Sequence, residues 1–279
     1  MRNYLRVTLV LFFLLATTTF SQNKCRLFII GGGSETNEML NSFVEMAGGK
    51  NSKIVILPMA SSIPETVGLE YETKFKSFGA DAFSLNINKD FVDSDEVISK
   101  FQNITAVFFT GGDQSRLTSV LQNTKLENKI FELFKKGVLI GGTSAGAAVM
   151  SEVMITGNEL LNNDSSNSFV KILSGNIETK KGFGFLKNVI IDQHFVFRKR
   201  HNRLTSVVLE NPKLIGVGID ENTAIVFEDE NKFKVIGSGS VLIYDARKAN
   251  SISKNKNGIL RGNNIILTIL SENDSFNIN

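Results

Sequence analysis

Ser144 stands in the run Gly141-Gly142-Thr143-Ser144-Ala145-Gly146-Ala147-Ala148, directly after the apolar residues Val138-Leu139-Ile140. A buried strand that breaks into Gly-x-Ser-x-Gly and continues as an alanine-rich helix describes a nucleophile elbow. The tight turn lifts the serine hydroxyl above the sheet, and small neighbours leave room for it. The helix start that follows aims free N–H groups and positive dipole at charge developing there. A serine so placed is built to attack a carbonyl. Glycine-rich strand-to-helix turns also occur without chemistry, so the rest of the chain must supply the partners.

A serine hydroxyl needs an adjacent base to become a nucleophile. The chain has two histidines. His194 follows the apolar run Val189-Ile190-Ile191 through Asp192-Gln193, at a strand end like Ser144, and is the expected base. His201 lies within Arg198-Lys199-Arg200-His201-Asn202-Arg203, a charge run whose ordinary role is a solvated face. An acid should hold the imidazole tautomer and steady the imidazolium. Asp192, Asp220 and Glu221 are all candidates, and spacing alone does not choose among them.

These residues need elements to carry them. Leu27–Ile30, Ile54–Leu57, Ala82–Ile87, Ala106–Phe109, Val138–Ile140 and Val189–Ile191 read as strands. Helical spacing appears between them, at Met39, Leu40, Phe43, Val44 and Ala47, around Glu65–Phe78, and from about Ser94. Continuous apolar strands alternating with helices predict an α/β fold, a mostly parallel sheet with helices on both faces. Farther on, Thr223–Glu228, Phe233–Ile236, Val241–Tyr244 and Ile265–Leu270 follow one another with little helix, predicting antiparallel C-terminal strands. Ligands sit beyond the carboxyl ends of strands in such sheets. Gly31-Gly32-Gly33-Ser34, Gly111-Gly112-Asp113-Gln114, Gly141–Ala148 and Asp192-Gln193-His194 all occupy that position, so four distant segments converge on one edge. The polar stretch Asn158–Ser168 predicts an exposed loop.

The chain has 279 residues, 42% of them hydrophobic, enough for one large domain, expected over residues 22–279. Residues 1–21 pair an arginine-bearing start with the short apolar run Val7–Ala16, the pattern of a secretory signal peptide. The expected location is therefore secreted or periplasmic, with no membrane attachment after cleavage near Ser21 or Gln22. Cys25 is the single cysteine, so no internal disulfide is available, and the polar Gln22-Asn23-Lys24 before it does not suit lipidation. A net charge of +3 without a basic aromatic stripe argues against nucleic acid. Two histidines and one cysteine without paired spacing leave no metal motif, and no cofactor is expected.

Gly-Gly-Asp-Gln at 111–114, Gly-Thr-Ser-Ala-Gly-Ala at 142–147, Asp-Gln-His-Phe at 192–195 and Gly-Ile-Asp-Glu at 218–221 together resemble cyanophycinase. That family belongs with peptidase E in one serine-hydrolase superfamily, and the likeness runs from about residue 27 to 245. The resemblance implies a flavodoxin-like or class I glutamine-amidotransferase-like sandwich, usually a homodimer. It implies Ser144 as nucleophile, His194 as base and Glu221 as the orienting acid. It implies Gln114, Asp192, Gln193, Arg198, Arg200 and Arg203 as lining of the substrate pocket.

The implied substrate is cyanophycin, multi-L-arginyl-poly-L-aspartate, released as β-aspartyl-arginine through acyl transfer. Forked guanidinium donors suit its carboxylates, while Asp192 and the amide oxygens of Gln114 and Gln193 suit its guanidinium. At about 100° per residue, Arg200 and Arg203 lie about 60° apart on a helix and Arg198 far round, so one pocket requires an irregular segment. The oxyanion is expected on backbone N–H groups of Ala145 and of a glycine at 111–112, Gly112 foremost. Lys199 and the His201-Asn202 pair alter the segment between the pocket arginines, and a secretory start sits oddly with intracellular storage polymer. Two rivals stand beside this reading: a peptidase E-like Asp-X dipeptidase, and a non-catalytic protein cradling phosphate at Gly31–Ser34. The latter run lacks a phosphate-loop lysine. An amidotransferase would need cysteine where Ser144 stands.

Overall fold

The computed structural model describes residues 25–161 and 168–279. The expected signal segment 1–21, and residues 162–167 of the expected loop, lie outside the described residues. In chain order, β1 (Leu27–Ile30) leads through α1 (Asn37–Ala47), β2 (Lys53–Leu57), α2 (Pro64–Ser77), β3 (Asp81–Ser84) and α3 (Asp95–Ser99) to β4 (Ala106–Phe109). Then come α4 (Gln114–Leu121), α5 (Lys125–Lys135), β5 (Leu139–Thr143), the short α6 (Ala145–Ala148), β6 (Val153–Glu159) and β7 (Ile177–Lys181). The chain continues with β8 (Val189–Gln193), α7 (His201–Glu210), β9 (Ile215–Ile219), β10 (Thr223–Phe227), β11 (Lys232–Gly237) and β12 (Val241–Asp245). It ends with β13 (Asn250–Lys254), β14 (Leu260–Asn263), β15 (Ile266–Leu270) and β16 (Ser275–Asn277).

A large sheet of eight strands runs β16-β11-β10-β1-β5-β4-β2-β3. Its strands β1, β5, β4, β2 and β3 are mutually parallel, while β10, β11 and β16 extend it antiparallel. The continuous apolar runs of β1, β2 and β4 are explained by two covered faces. Phe28, Ile30, Ile54, Ile56 and Phe108 pack on one side against Phe43 and Val44 of α1 and Tyr71 and Phe75 of α2. Leu27, Ile29, Val55, Leu57 and Phe109 pack on the other against α4, α5 and a second sheet. Helix α1 begins where the Thr36 side chain accepts a hydrogen bond from Met39 N at 3.2 Å, a cap worth about 1 kcal/mol.

The second sheet, in the order β15-β12-β9-β8, is parallel only between β8 and β9. Its alternate face carries Ile190, Leu242 and Tyr244 against Leu204, Val207 and Val208 of α7. The strand ends expected along one sheet edge therefore come from two sheets: β1, β4 and β5 from the large one, β8 from the small one. The C-terminal strands are likewise divided, β10 and β11 joining the large sheet and β12 and β15 the small one. An apolar run reports burial, not which neighbour it pairs with. Cys25 is a free, buried thiol, and burial with the acidic Glu230 and Asp229 nearby pushes its pKa up to about 12.

Candidate active site

Strand β5 delivers Ser144 to the rim of the large sheet. The Ser144 N–H donates to Ile30 O at 3.0 Å, and its backbone turns to φ 53, ψ −109 before α6 begins. A non-glycine residue there costs on the order of 1 kcal/mol, held by the surrounding contacts. The flanking glycines are required by backbone lying on backbone. A Cβ on Gly146 would stand 2.2 Å from Phe109 O, and one on Gly142 2.5 Å from Gly146 O. The motif spacing is thus the imprint of α6 pressed against β4 and β5.

Strand β8 brings His194 to the same point from the small sheet. Its backbone N–H donates to Gly31 O at 2.8 Å, so the loop after β1 is tied to the end of β8. The imidazole Nε2 stands 2.8 Å from Ser144 Oγ, and Nδ1 stands 2.6 Å from Glu221 Oε1. An ionised carboxylate only accepts, so it holds the ring proton on Nδ1 and leaves the Nε2 lone pair facing the serine hydroxyl. Gly32 lies directly under the ring, and a Cβ there would meet His194 Cε1 at 2.4 Å. Burial pushes the His194 pKa below the ordinary imidazole value. The positive fields of Arg198 and Arg200 act in the same direction, and the Glu221 hydrogen bond partly offsets them.

The three acids that spacing left open have three separate partners. Glu221, in the turn between β9 and β10, meets His194. Asp220 Oδ1 accepts from Val196 N at 3.1 Å and Phe197 N at 2.9 Å, pinning the turn after His194. Asp192 takes a forked pair of bonds from Arg203 Nε, at 2.8 Å, and Arg203 Nη2. Asp192 and Arg203 are each only 1% exposed. They are buried against each other, where the resemblance implied both as lining of the substrate pocket. The charge run misled because a guanidinium can be buried when a carboxylate matches its fork.

The remaining expected pocket residues are distributed unevenly. Arg198 is exposed in the irregular turn before α7, its N–H donating to His194 O at 2.9 Å. Arg200 is partly buried. Its Nη1 donates to Gln193 O at 2.6 Å and to Gln193 Oε1, and burial with Arg203 nearby pushes its pKa down to about 10. Gln193 is therefore engaged by Arg200. Gln114, at the start of α4, donates from Nε2 to Ile155 O and Thr156 O, both at 2.7 Å, tethering β6 to the rim. His201 is set apart from Ser144, its Nδ1 2.9 Å from Tyr244 OH.

Gly111 approaches the nucleophile, since a Cβ on it would meet Ser144 Cβ at 3.3 Å. Among the described residues, the N–H groups of Ala145, Gly111 and Gly112 have no protein acceptor. Such donors beside a nucleophile, its base and an orienting acid can carry out acyl transfer. Sequence reasoning missed Glu35, whose carboxylate accepts a hydrogen bond from Thr143 Oγ1. An acid after a glycine loop carries no spacing signal. Among the described residues no group of three or more His, Cys, Asp or Glu side chains could hold a metal ion.

The model of peptidase family S51 matches residues 27–235. The chain is 33% identical over 271 residues to a cyanophycinase of Synechococcus elongatus, covering 94% of this chain and 82% of that protein. It is 35% identical over 260 residues to a cyanophycinase of Geminocystis herdmanii, covering 90% and 93%. Among solved structures it resembles a peptidase from an acI-B1 actinobacterium, with TM-score 0.66 and 21% identity over 92% of this chain and 98% of that one. That likeness concerns the fold.

Proposed function

The chain belongs to peptidase family S51 and is a serine-type peptidase; from that premise we propose that it is a secreted exopeptidase releasing β-aspartyl-arginine from cyanophycin through an acyl-enzyme on Ser144. The observation that carries this reading is the unbroken hydrogen-bonded run from Ser144 Oγ through His194 to Glu221 Oε1. Identity of 33–35% to cyanophycinases over nine-tenths of the chain supports the substrate. The pattern of residues 1–21 supports export.

In this mechanism His194 Nε2 takes the Ser144 proton as Oγ bonds to the scissile carbonyl carbon. The imidazolium stays paired with Glu221. The oxyanion falls to the N–H groups of Ala145 and of Gly111 or Gly112, Gly112 being the expected one. Collapse breaks the C–N bond, and the leaving amine takes the proton from His194. Water then gives a proton to Nε2 and reopens the ester. Arg198 and Arg200 supply positive charge for substrate carboxylates, with Arg200 steadied by Gln193 and, at 3.7 Å, by Asp192. We place Asp192, Arg203 and Gln114 as supports of this pocket rather than contacts within it. The working unit is proposed to be a homodimer.

The test is to incubate the purified protein, Ser144→Ala and Glu221→Gln with cyanophycin and detect β-aspartyl-arginine by mass spectrometry. The unsubstituted protein should release it, Ser144→Ala should not, and Glu221→Gln should be slowed on the order of 10³–10⁴-fold. Release by Ser144→Ala, or cleavage of Asp-X dipeptides in preference to the polymer, would refute the proposal.

A further inference from the structure

The loop between β1 and α1 carries a carboxylate that the mechanism does not use. Glu35 is partly buried, and its Oε1 accepts from two hydroxyls, that of Thr143 and that of Tyr71 at 3.1 Å. Thr143 immediately precedes Ser144 in the chain. Tyr71 is buried, its ring 5.0 Å from that of Phe108. Burial and the Glu35 charge push the Tyr71 hydroxyl pKa well up, so Tyr71 remains a donor. Two donors on one oxygen fix the carboxyl group and leave Oε2 without a protein partner among the described residues. Among the described residues, no lysine, arginine or histidine forms an ion pair with Glu35.

The surrounding charges are arranged on two sides. Along β5, Leu139 packs into the α1 and α2 layer, and a Cβ on Gly141 would meet Phe43 of α1. The two-residue period of a strand puts Thr143, and with it Glu35, on that same side. Arg198 and Arg200 lie on the other, following β8 of the small sheet. The loop of residues 31–35 joins the sides: Gly31 O holds His194 N, Gly32 O holds Asn222 N at 2.9 Å, Gly33 packs on Glu221, and Glu35 returns to Thr143. The carboxylate is thus fixed one residue from Ser144, while the Arg198 and Arg200 charges act on its base His194 from the other sheet. Partial burial without a counter-ion is unfavourable for that carboxylate until a cation arrives.

We propose that Glu35 is the subsite for the cationic side chain of the substrate, facing the arginines that take its carboxylates. This rests on the cyanophycin reading, because it requires a substrate carrying both charges. A guanidinium suits the site: its N–H donors can reach Oε2, the oxygen that the two hydroxyls leave open. The β-aspartyl-arginine product, which carries both charges, would be gripped by the same pair of sites.

The test compares two short β-aspartyl peptides that differ only in arginine or its neutral isostere citrulline. The unsubstituted protein should favour arginine by about tenfold or more in kcat/KM, the strength of a charged hydrogen bond, chiefly through KM. Glu35→Gln keeps an oxygen for both hydroxyls and should abolish most of that preference. Glu35→Asp, which withdraws the charge by one methylene, should lower it as well. Labelling of Ser144 by a fluorophosphonate reports that the elbow of each variant is intact. A preference unchanged in a labelled variant, or equal cleavage of both peptides by the unsubstituted protein, overturns the subsite alone. An unsubstituted protein that cleaves neither peptide nor the polymer overturns the cyanophycin reading itself.

Discussion

Adding a single methyl group at Gly32 would test whether the imidazole needs the position in which it stands. Gly32 has φ +98, and an ideal Cβ there lies 2.4 Å from Cε1 and 2.6 Å from Nε2 of His194. Carbon contacts settle at about 3.5–4.0 Å, so ring and methyl must separate by about 1 Å. The ring has no slack to give, because Nδ1 is held by Glu221 and the backbone N–H by Gly31 O. The 2.8 Å contact to Ser144 must open. About 1 Å of misplacement at a reacting group costs on the order of 10²-fold in rate. The left-handed backbone adds about 1–2 kcal/mol of strain in the folded state.

Gly32→Ala should therefore fold, melt roughly 2–8 °C lower, and lose about 100-fold in kcat. KM should change little, because the substrate-facing charges are untouched. Steady-state kinetics on cyanophycin gives both constants, and stopped fluorophosphonate labelling of Ser144 should slow in parallel, since the same base activates it. A variant with undiminished kcat and unchanged labelling would show that His194 does not serve Ser144 in this geometry.

The depressed His194 pKa sets the pH dependence: kcat/KM should hold as pH falls to ~6.5 and decline only below it, and an acid limb centred above pH 7 would contradict this. The same shift means that the unfolded chain binds the proton first, so the stability contribution is intact above ~6.5. It declines as pH falls from there through the folded value, which thermal melts across pH 4–7 can read. Asp192→Asn strands the buried Arg203 guanidinium and should cost about 3–5 kcal/mol in denaturant unfolding; a loss under about 1 kcal/mol would mean that water reaches Arg203.

The elbow was legible because its signal is about backbone. Gly142 and Gly146 are small where main chains touch, and that requirement appears directly as letters. The core strands were legible for a similar reason: Leu27–Ile30 and Ala106–Phe109 are apolar on both faces because both faces are covered. His194 was separable from His201 by its place after a strand. What spacing could not supply was through-space partnership. Asp192, Asp220 and Glu221 are all carboxylates near strand ends, and only the crossing of β9 into β10 beside Gly33 brings the last one to the imidazole. Arg203 and Arg198 sit in one charge run, yet helix α7 turns the first inward to Asp192 while the turn before the helix leaves the second in solvent. The pairing of β6 with β7 had no clear signal, because Ile177-Glu178-Thr179-Lys180-Lys181 is polar and mostly uncovered.

Ser144 is carried by the large sheet, whereas His194 and Glu221 arrive from the small one and its exit toward β10. Neither half holds both the nucleophile and its base. A nascent or partly unravelled chain in which the two layers have not yet docked is chemically inert, since its serine is an ordinary alcohol without a base in reach. Hydrolytic competence therefore requires both layers in place, and loosening between them would remove it.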